Sequence, residues 1–228
     1  MDSFPPVLDI VIIALPILVA ITFHEAAHGY VALRCGDTTA LRARRLSLNP
    51  LRHIDPIGTV ALPGLLIFAG SPFLFGYAKP VPVNFGALRH PRRDMVFVAL
   101  AGPAMNIGLA FISALMFHLL SFLPEDFALP LAKGLRTSLI INVTLALFNM
   151  LPLPPLDGGR VAVGLLPRFM ANPLARMEKW GFVIVFGAFI GIPYIAHLLG
   201  KDFSLFFWLL AGPIDMVIKT ILFLAGIH

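Results

Sequence analysis

His24 and His28 stand four residues apart, with Glu25 beside the first of them, in the run Phe23-His24-Glu25-Ala26-Ala27-His28. On a helix this spacing puts both imidazoles on one face, where they can reach one metal ion while Glu25 addresses a water at the same point. These are the parts of a hydrolytic zinc site. Such a site commonly takes three protein ligands and keeps a further position open, so a third ligand must come from another element. Asp157 is the candidate, in Asn149-Met150-Leu151-Pro152-Leu153-Pro154-Pro155-Leu156-Asp157-Gly158-Gly159-Arg160. It follows an apolar segment that the prolines must unwind, and its neighbouring glycines would let the backbone turn the carboxylate inward. A metal there lowers the pKa of a coordinated water toward about 7 and polarises a scissile carbonyl. Glu25 is then placed to take the water proton and pass it to the leaving amine. Asn149 can donate a hydrogen bond to the developing oxyanion, or it can satisfy carbonyls freed above the prolines. Two imidazoles and a carboxylate suit zinc, although cobalt can occupy the same ligands.

The elements that must position these groups are membrane helices. The 228 residues are 58% hydrophobic and 13% charged, with a mean hydropathy of +0.89. That balance lies outside the range of soluble domains and has room for about five or six spans of roughly 20 apolar residues. The expected fold is an all-α polytopic membrane protein of about five transmembrane helices, plus a broken re-entrant or hairpin segment over 54–77. We expect one membrane-embedded domain over 1–228, with a catalytic core of about 7–160 and additional spans at about 180–225. Ionisable groups inside such segments are costly and functional by default, which sharpens the reading of His24, Glu25 and His28. The single cysteine, Cys35, excludes an internal disulfide and any paired-cysteine metal site. The net charge of +5 reports loop orientation rather than a nucleic-acid partner.

In chain order, 7–33 reads as a first span with Pro16 as a kink, followed by a loop carrying Arg34, Arg42, Arg44, Arg45 and Arg52. Positive residues mark the cytoplasmic side, so the N-terminus is expected outside and the histidines toward the cytoplasmic face. The next segment, 54–77, is interrupted by Pro56, Gly58, Pro63, Gly64, Gly70, Pro72 and Gly76, and a second basic loop with Lys79, Arg89, Arg92 and Arg93 follows it. A re-entrant path keeps both basic loops on one side and lines the route to the site. Spans over 95–123 and 135–150 then bring Asp157 back to the depth of the histidines. The last two spans are expected to go out and back, leaving the C-terminus cytoplasmic.

The motifs together resemble the site-2 protease family of intramembrane zinc metalloproteases, peptidase family M50, in a compact form without PDZ or CBS domains. The resemblance rests on HEAAH, on FGYAKPVPVN at 75–84, on AGPAMN at 101–106 and above all on NMLPLPPLDGGR at 149–160. It implies one zinc held by His24, His28 and Asp157, Glu25 as catalytic base, and Asn149 near substrate or oxyanion. It also implies a membrane-spanning protein substrate cut near the cytoplasmic side, in a bacterial or archaeal cell membrane. A separate adaptor protein would suit a chain this short. A catalytically silent homologue that binds membrane helices, or a metal-ion transporter, are the competing classes.

Other polar groups take plainer readings. Asn106 is expected to hydrogen-bond between helices, His53 with Asp55 to be solvated or at the mouth of the cavity, and His118 and His197 to sit at span ends. Lys79 can be a cavity contact or a simple topology charge.

Overall fold

Backbone polar groups in lipid can be satisfied within a helix, and among the described residues five helices are long and apolar enough to cross a membrane. The computed structural model describes residues 6–53, 55–61, 64, 65, 68 and 79–227. No strand occurs among these described residues. Helix α1 is Pro6–Arg34 and runs unbroken through Pro16. A short α2, Thr39–Arg42, follows. Then come α3 (Pro91–Met116), continued by a 3-10 turn to Phe122, and α4 (Glu125–Asn149). After the proline-rich turn stand α5 (Asp157–Leu165) and α6 (Arg168–Arg176). The next span is interrupted: α7 (Glu178–Phe186) passes through a π turn at Gly187–Gly191 into α8 (Ile192–Leu198). Helix α9, Leu205–Leu224, ends the fold. Most of the segment 54–77 lies outside the described residues, and of its interior the described part includes a π turn at Pro56–Ala61.

Small side chains let the spans approach closely, which is how helices associate where lipid offers no hydrophobic drive. Ala110 and Ala114 of α3, Leu139 and Val143 of α4, and Ile221 of α9 with Ala225 just beyond it form one buried cluster. Phe206 at the start of α9 lies 6.3 Å from Phe148 at the end of α4, and both rings meet Phe189. At the other end of α9, His118 beyond α3 bonds the carbonyl of Ala225 at 2.7 Å. Helix α9 therefore runs antiparallel to α4, back toward the α3–α4 connection. Ile12 of α1 packs beside Gly134 near that same end. Within the bundle, the C-terminal end of α9 thus lies beside the α3–α4 connection, at the end where Ile12 of α1 meets Gly134. The aromatic cluster of Phe148, Phe189 and Phe206 lies where α9 begins. Helix α9 also carries Asp215 and Lys219, paired one turn apart at 2.7 Å.

The segment Lys79–Asn84 crosses the mouth of the site as a strap. Lys79 donates its N–H to the carbonyl of His53 at 2.9 Å, and Arg45 donates to the carbonyl of Lys79 at 2.8 Å. The Asn84 N–H reaches the buried carboxylate of Asp37 at 2.7 Å, which also accepts from the Thr39 N–H and hydroxyl. Burial alone would raise the Asp37 pKa, but these hydrogen bonds, with Arg42 nearby, outweigh it and hold the carboxyl below its ordinary value. A lowered folded pKa means that the tether is fully present above about pH 4 and is lost as pH falls through the folded value. Asp37→Ala strands the donors it served and should cost roughly 1–3 kcal/mol. We expect a lower thermal midpoint in detergent and faster limited proteolysis within 79–84, with wild type approaching the same behaviour as pH falls below about 4.

Candidate metal centre

The run His24 to His28 lies in the second half of α1, so the two rings project from one face one turn apart. Asp157 is the first residue of α5, delivered by the turn 150–156 that follows α4. The proline-rich stretch thus unwinds as expected, but the adjacent glycines act differently. Neither Gly158 nor Gly159 has a positive φ. A Cβ at Gly158 would lie 2.2 Å from the carbonyl oxygen of Met150, and one at Gly159 would lie 2.4 Å from the nitrogen of Pro154. These glycines let α5 press against the preceding turn, and that close packing carries Asp157 inward.

The ligand atoms converge. His24 Nε2 and His28 Nε2 are 3.0 Å apart, and Asp157 Oδ2 is 3.2 Å from the first and 3.3 Å from the second. All three residues are buried, at 7%, 9% and 6% exposure. His28 Nδ1 faces the backbone carbonyl of Val98 at 2.7 Å. A carbonyl only accepts, so Nδ1 carries the proton and neutral His28 presents a bare lone pair at Nε2. Asp157 Oδ2 has no hydrogen-bond partner in its buried setting. Lone pairs gathered this closely in a region of low dielectric require a cation or protons between them. Tetrahedral zinc, with bonds of about 2.0–2.1 Å to nitrogen and oxygen, sets its ligand atoms about 3.3–3.4 Å apart. The observed triangle fits that donor set, and His24, His28 and Asp157 form a candidate metal site.

Helix α3 completes the surroundings through AGPAMN. A Cβ at Gly102 would stand 2.5 Å from His28 Nε2 and 2.6 Å from His24 Nε2. Glycine there lets the α3 backbone lie against both rings. One turn on, Asn106 Oδ1 meets His24 Nδ1 at 2.5 Å, fully buried. Asn106 is therefore a bridge between helices, as its type suggests, but the bridge ends on a candidate metal ligand. The sequence offered a signal for this: Gly102 and Asn106 are four apart on one helical face.

Glu25 shares a cavity of about 370 Å³ with His24, His28, Asp157, Asn149 and Arg160. Its Oε2 accepts the N–H of Val81 from the strap at 2.7 Å. Asn149, the last residue of α4, donates its side-chain N–H to the carbonyl of Leu145 at 3.0 Å, the helix-end role that competed with oxyanion binding. Arg160, which closes the 149–160 motif, also lines this cavity, 4.9 Å over the ring of Phe85 and 3.3 Å from Glu178. Of the two expectations for His53, solvation fails and a place by the mouth of the cavity remains: the residue is buried, its Nε2 bonds the carbonyl of Ser47 at 2.8 Å, and its own carbonyl receives the Lys79 N–H. His197 is exposed, 4.0 Å from Asp202. Gly102→Ala should displace both imidazoles and lower zinc affinity by about 10–100-fold, the loss typical of disturbing the groups that orient ligands. Equilibrium zinc titration against a chelator in detergent checks this.

Similarity to known proteins agrees with this geometry. A model of peptidase family M50 matches residues 131–193. YwhC of Bacillus subtilis (strain 168), provisionally named a zinc metalloprotease, is 38% identical over 182 residues, covering 78% of this chain and 80% of that protein. Rip2 of Mycobacterium tuberculosis (strain ATCC 25618 / H37Rv), named likewise, is 29% identical over 192 residues, 84% of this chain and 70% of Rip2. Rip2 of Mycolicibacterium smegmatis (strain ATCC 700084 / mc(2)155) is 31% identical over 169 residues, 74% of this chain and 62% of its own length. No solved structure gives a significant match. Identity of 38% sustained over most of both chains reflects a shared fold rather than a shared motif, and the chain is a metalloprotease belonging to peptidase family M50.

Proposed function

We propose that the protein is an intramembrane zinc endopeptidase that hydrolyses peptide bonds in or near membrane-spanning segments of substrate proteins. The observation that carries this reading is the triangle of His24 Nε2, His28 Nε2 and Asp157 Oδ2, opening on one cavity with Glu25 between apolar spans. Zinc bound there supplies a Lewis acid and an acidified water. The remaining work falls to the chain. Hydrolysis forms a bond from the water oxygen to the carbonyl carbon and breaks the C–N bond, so one proton must travel from water to the departing nitrogen. Glu25 carries it, and the Val81 N–H holds one of its oxygens and so fixes the direction of the carboxylate. Asn149 stands at the cavity wall with one amide N–H left for a substrate carbonyl once Leu145 has taken the other. Helical substrate has its backbone groups engaged with each other, so a scissile bond must unwind before it can enter. The basic loops favour a site toward the cytoplasmic face.

The decisive comparison pairs metal content with cleavage of a fluorogenic peptide derived from a membrane helix. Wild type should hold about one zinc per chain. Glu25→Gln should keep zinc and lose about 10²–10⁴-fold in cleavage rate, the contribution of a general base. Asp157→Ala should lose zinc and activity together. Wild type that binds no zinc, or Glu25→Gln that cleaves normally, would sink the proposal in favour of a transporter or a silent helix-binding homologue.

A further inference from the structure

The hydrogen bonds behind His24 have a fixed direction, and its origin lies outside every motif considered so far. Asn142, in the middle of α4, places its Nδ2 2.9 Å from the backbone carbonyl of Ser138. That carbonyl can only accept, so the amide is oriented with nitrogen toward it and Oδ1 away. Asn142 Oδ1 then receives Nδ2 of Asn106 at 2.7 Å. The second N–H of Asn106 points to the carbonyl of Ala20 at a longer 3.3 Å. With its nitrogen committed, Asn106 can present only Oδ1 to His24 Nδ1, which must therefore donate. Asn106 and Asn142 are 0% and 1% exposed, so no water can reverse the order.

We propose that Asn142 is a positioning residue of the metal site: acting through Asn106, it holds His24 in the tautomer with the proton on Nδ1 and the lone pair on Nε2. This rests on the reading of His24 as a zinc ligand. A flipped Asn106 would offer N–H groups to His24 Nδ1, drive the ring proton to Nε2 and block the ligand atom. Three helices enter the relay, since the carbonyl of Ser138 on α4 ultimately sets the chemistry of a ring on α1 through a side chain on α3. Asn142 touches no ligand, substrate or metal.

Zinc affinity in detergent, measured by chelator competition with Zn²⁺ alone, tests the relay in wild type, Asn142→Leu, Asn142→Asp and Asn106→Leu. Leucine fills the space but can neither donate nor accept. Aspartate keeps an acceptor toward Asn106, and its protonated form also donates to Ser138. We expect Asn142→Leu to bind zinc about 10-fold more weakly, because Ala20 retains one anchor on Asn106, and Asn106→Leu to approach 100-fold. Asn142→Asp should stay within about threefold of wild type. Nitrogen-15 spectra of labelled histidine in the metal-free protein should show the His24 proton on Nδ1 in wild type and Asn142→Asp, and a mixture of tautomers in Asn142→Leu. Wild-type affinity and tautomer in Asn142→Leu would overturn the relay, as would an Asn142→Asp variant that loses as much as Asn142→Leu. Absence of zinc binding by wild type itself would instead overturn the functional reading on which the relay depends.

Discussion

Three electron pairs brought within 3.3 Å of one another in an apolar bundle are the constraint around which this molecule is arranged. Water would normally screen such a gathering, but His24, His28 and Asp157 are buried, and a lone pair facing a lone pair is repulsive at that distance. The arrangement persists because the backbone around it is already committed elsewhere. Helix α1 sets the two rings one turn apart, the turn 150–156 is pressed into α5 by Gly158 and Gly159, and α3 backs both rings through Gly102. A site organised this way is ready to receive a cation without large movement, which is the condition for tight and geometrically selective binding.

Helix α3 is the element on which the others converge. Its Val98 carbonyl fixes one histidine and its Asn106 the other, while Ala110 and Ala114 pack against α4 and α9 farther along the helix. The polar contacts and the small-residue contacts follow from the same close approach. Polar side chains are tolerated at this depth because each is paired: Asn106 with three partners, Asn142 with Asn106 and Ser138. The paired Asn residues also give α3 and α4 one register, since sliding either helix by a turn would leave buried amides unsatisfied.

The strap at Lys79–Asn84 adds a second kind of control. It has few donors of its own, because Pro80 and Pro82 lack N–H groups. Two of those it does have are taken by carboxylates, Glu25 in the cavity and Asp37 beyond the end of α1. The group proposed to move protons is thus held by the same segment that borders the cavity mouth. Strap position and Glu25 orientation are consequently coupled through the Val81 N–H.

Much of the site was legible in the sequence for a plain chemical reason: ionisable residues in apolar spans are too costly to be incidental, and helical spacing says which of them share a face. His24, Glu25, His28 and Asp157 could be picked out as candidates that meet around one cavity, as could the helical spans and the proline-broken turn. Residue type and period do not say which neighbour a face meets. That is why Asn106 read as a generic bridge, why Gly158 and Gly159 read as hinges when they are contact points, and why solvation and a place at the cavity mouth both stayed open for the buried His53. Hydropathy counts the last spans but cannot say that Phe206 will lie against Phe148 and Phe189. The sequence by itself determined the candidate ligand set and the apolar, span-forming character of the chain, because these depend on the chemistry of single side chains. Only the tertiary structure decided the distances between ligand atoms, the burial that leaves Asp157 Oδ2 without a partner and the direction of the hydrogen bonds behind His24, because each is a relation between helices that are remote in the chain.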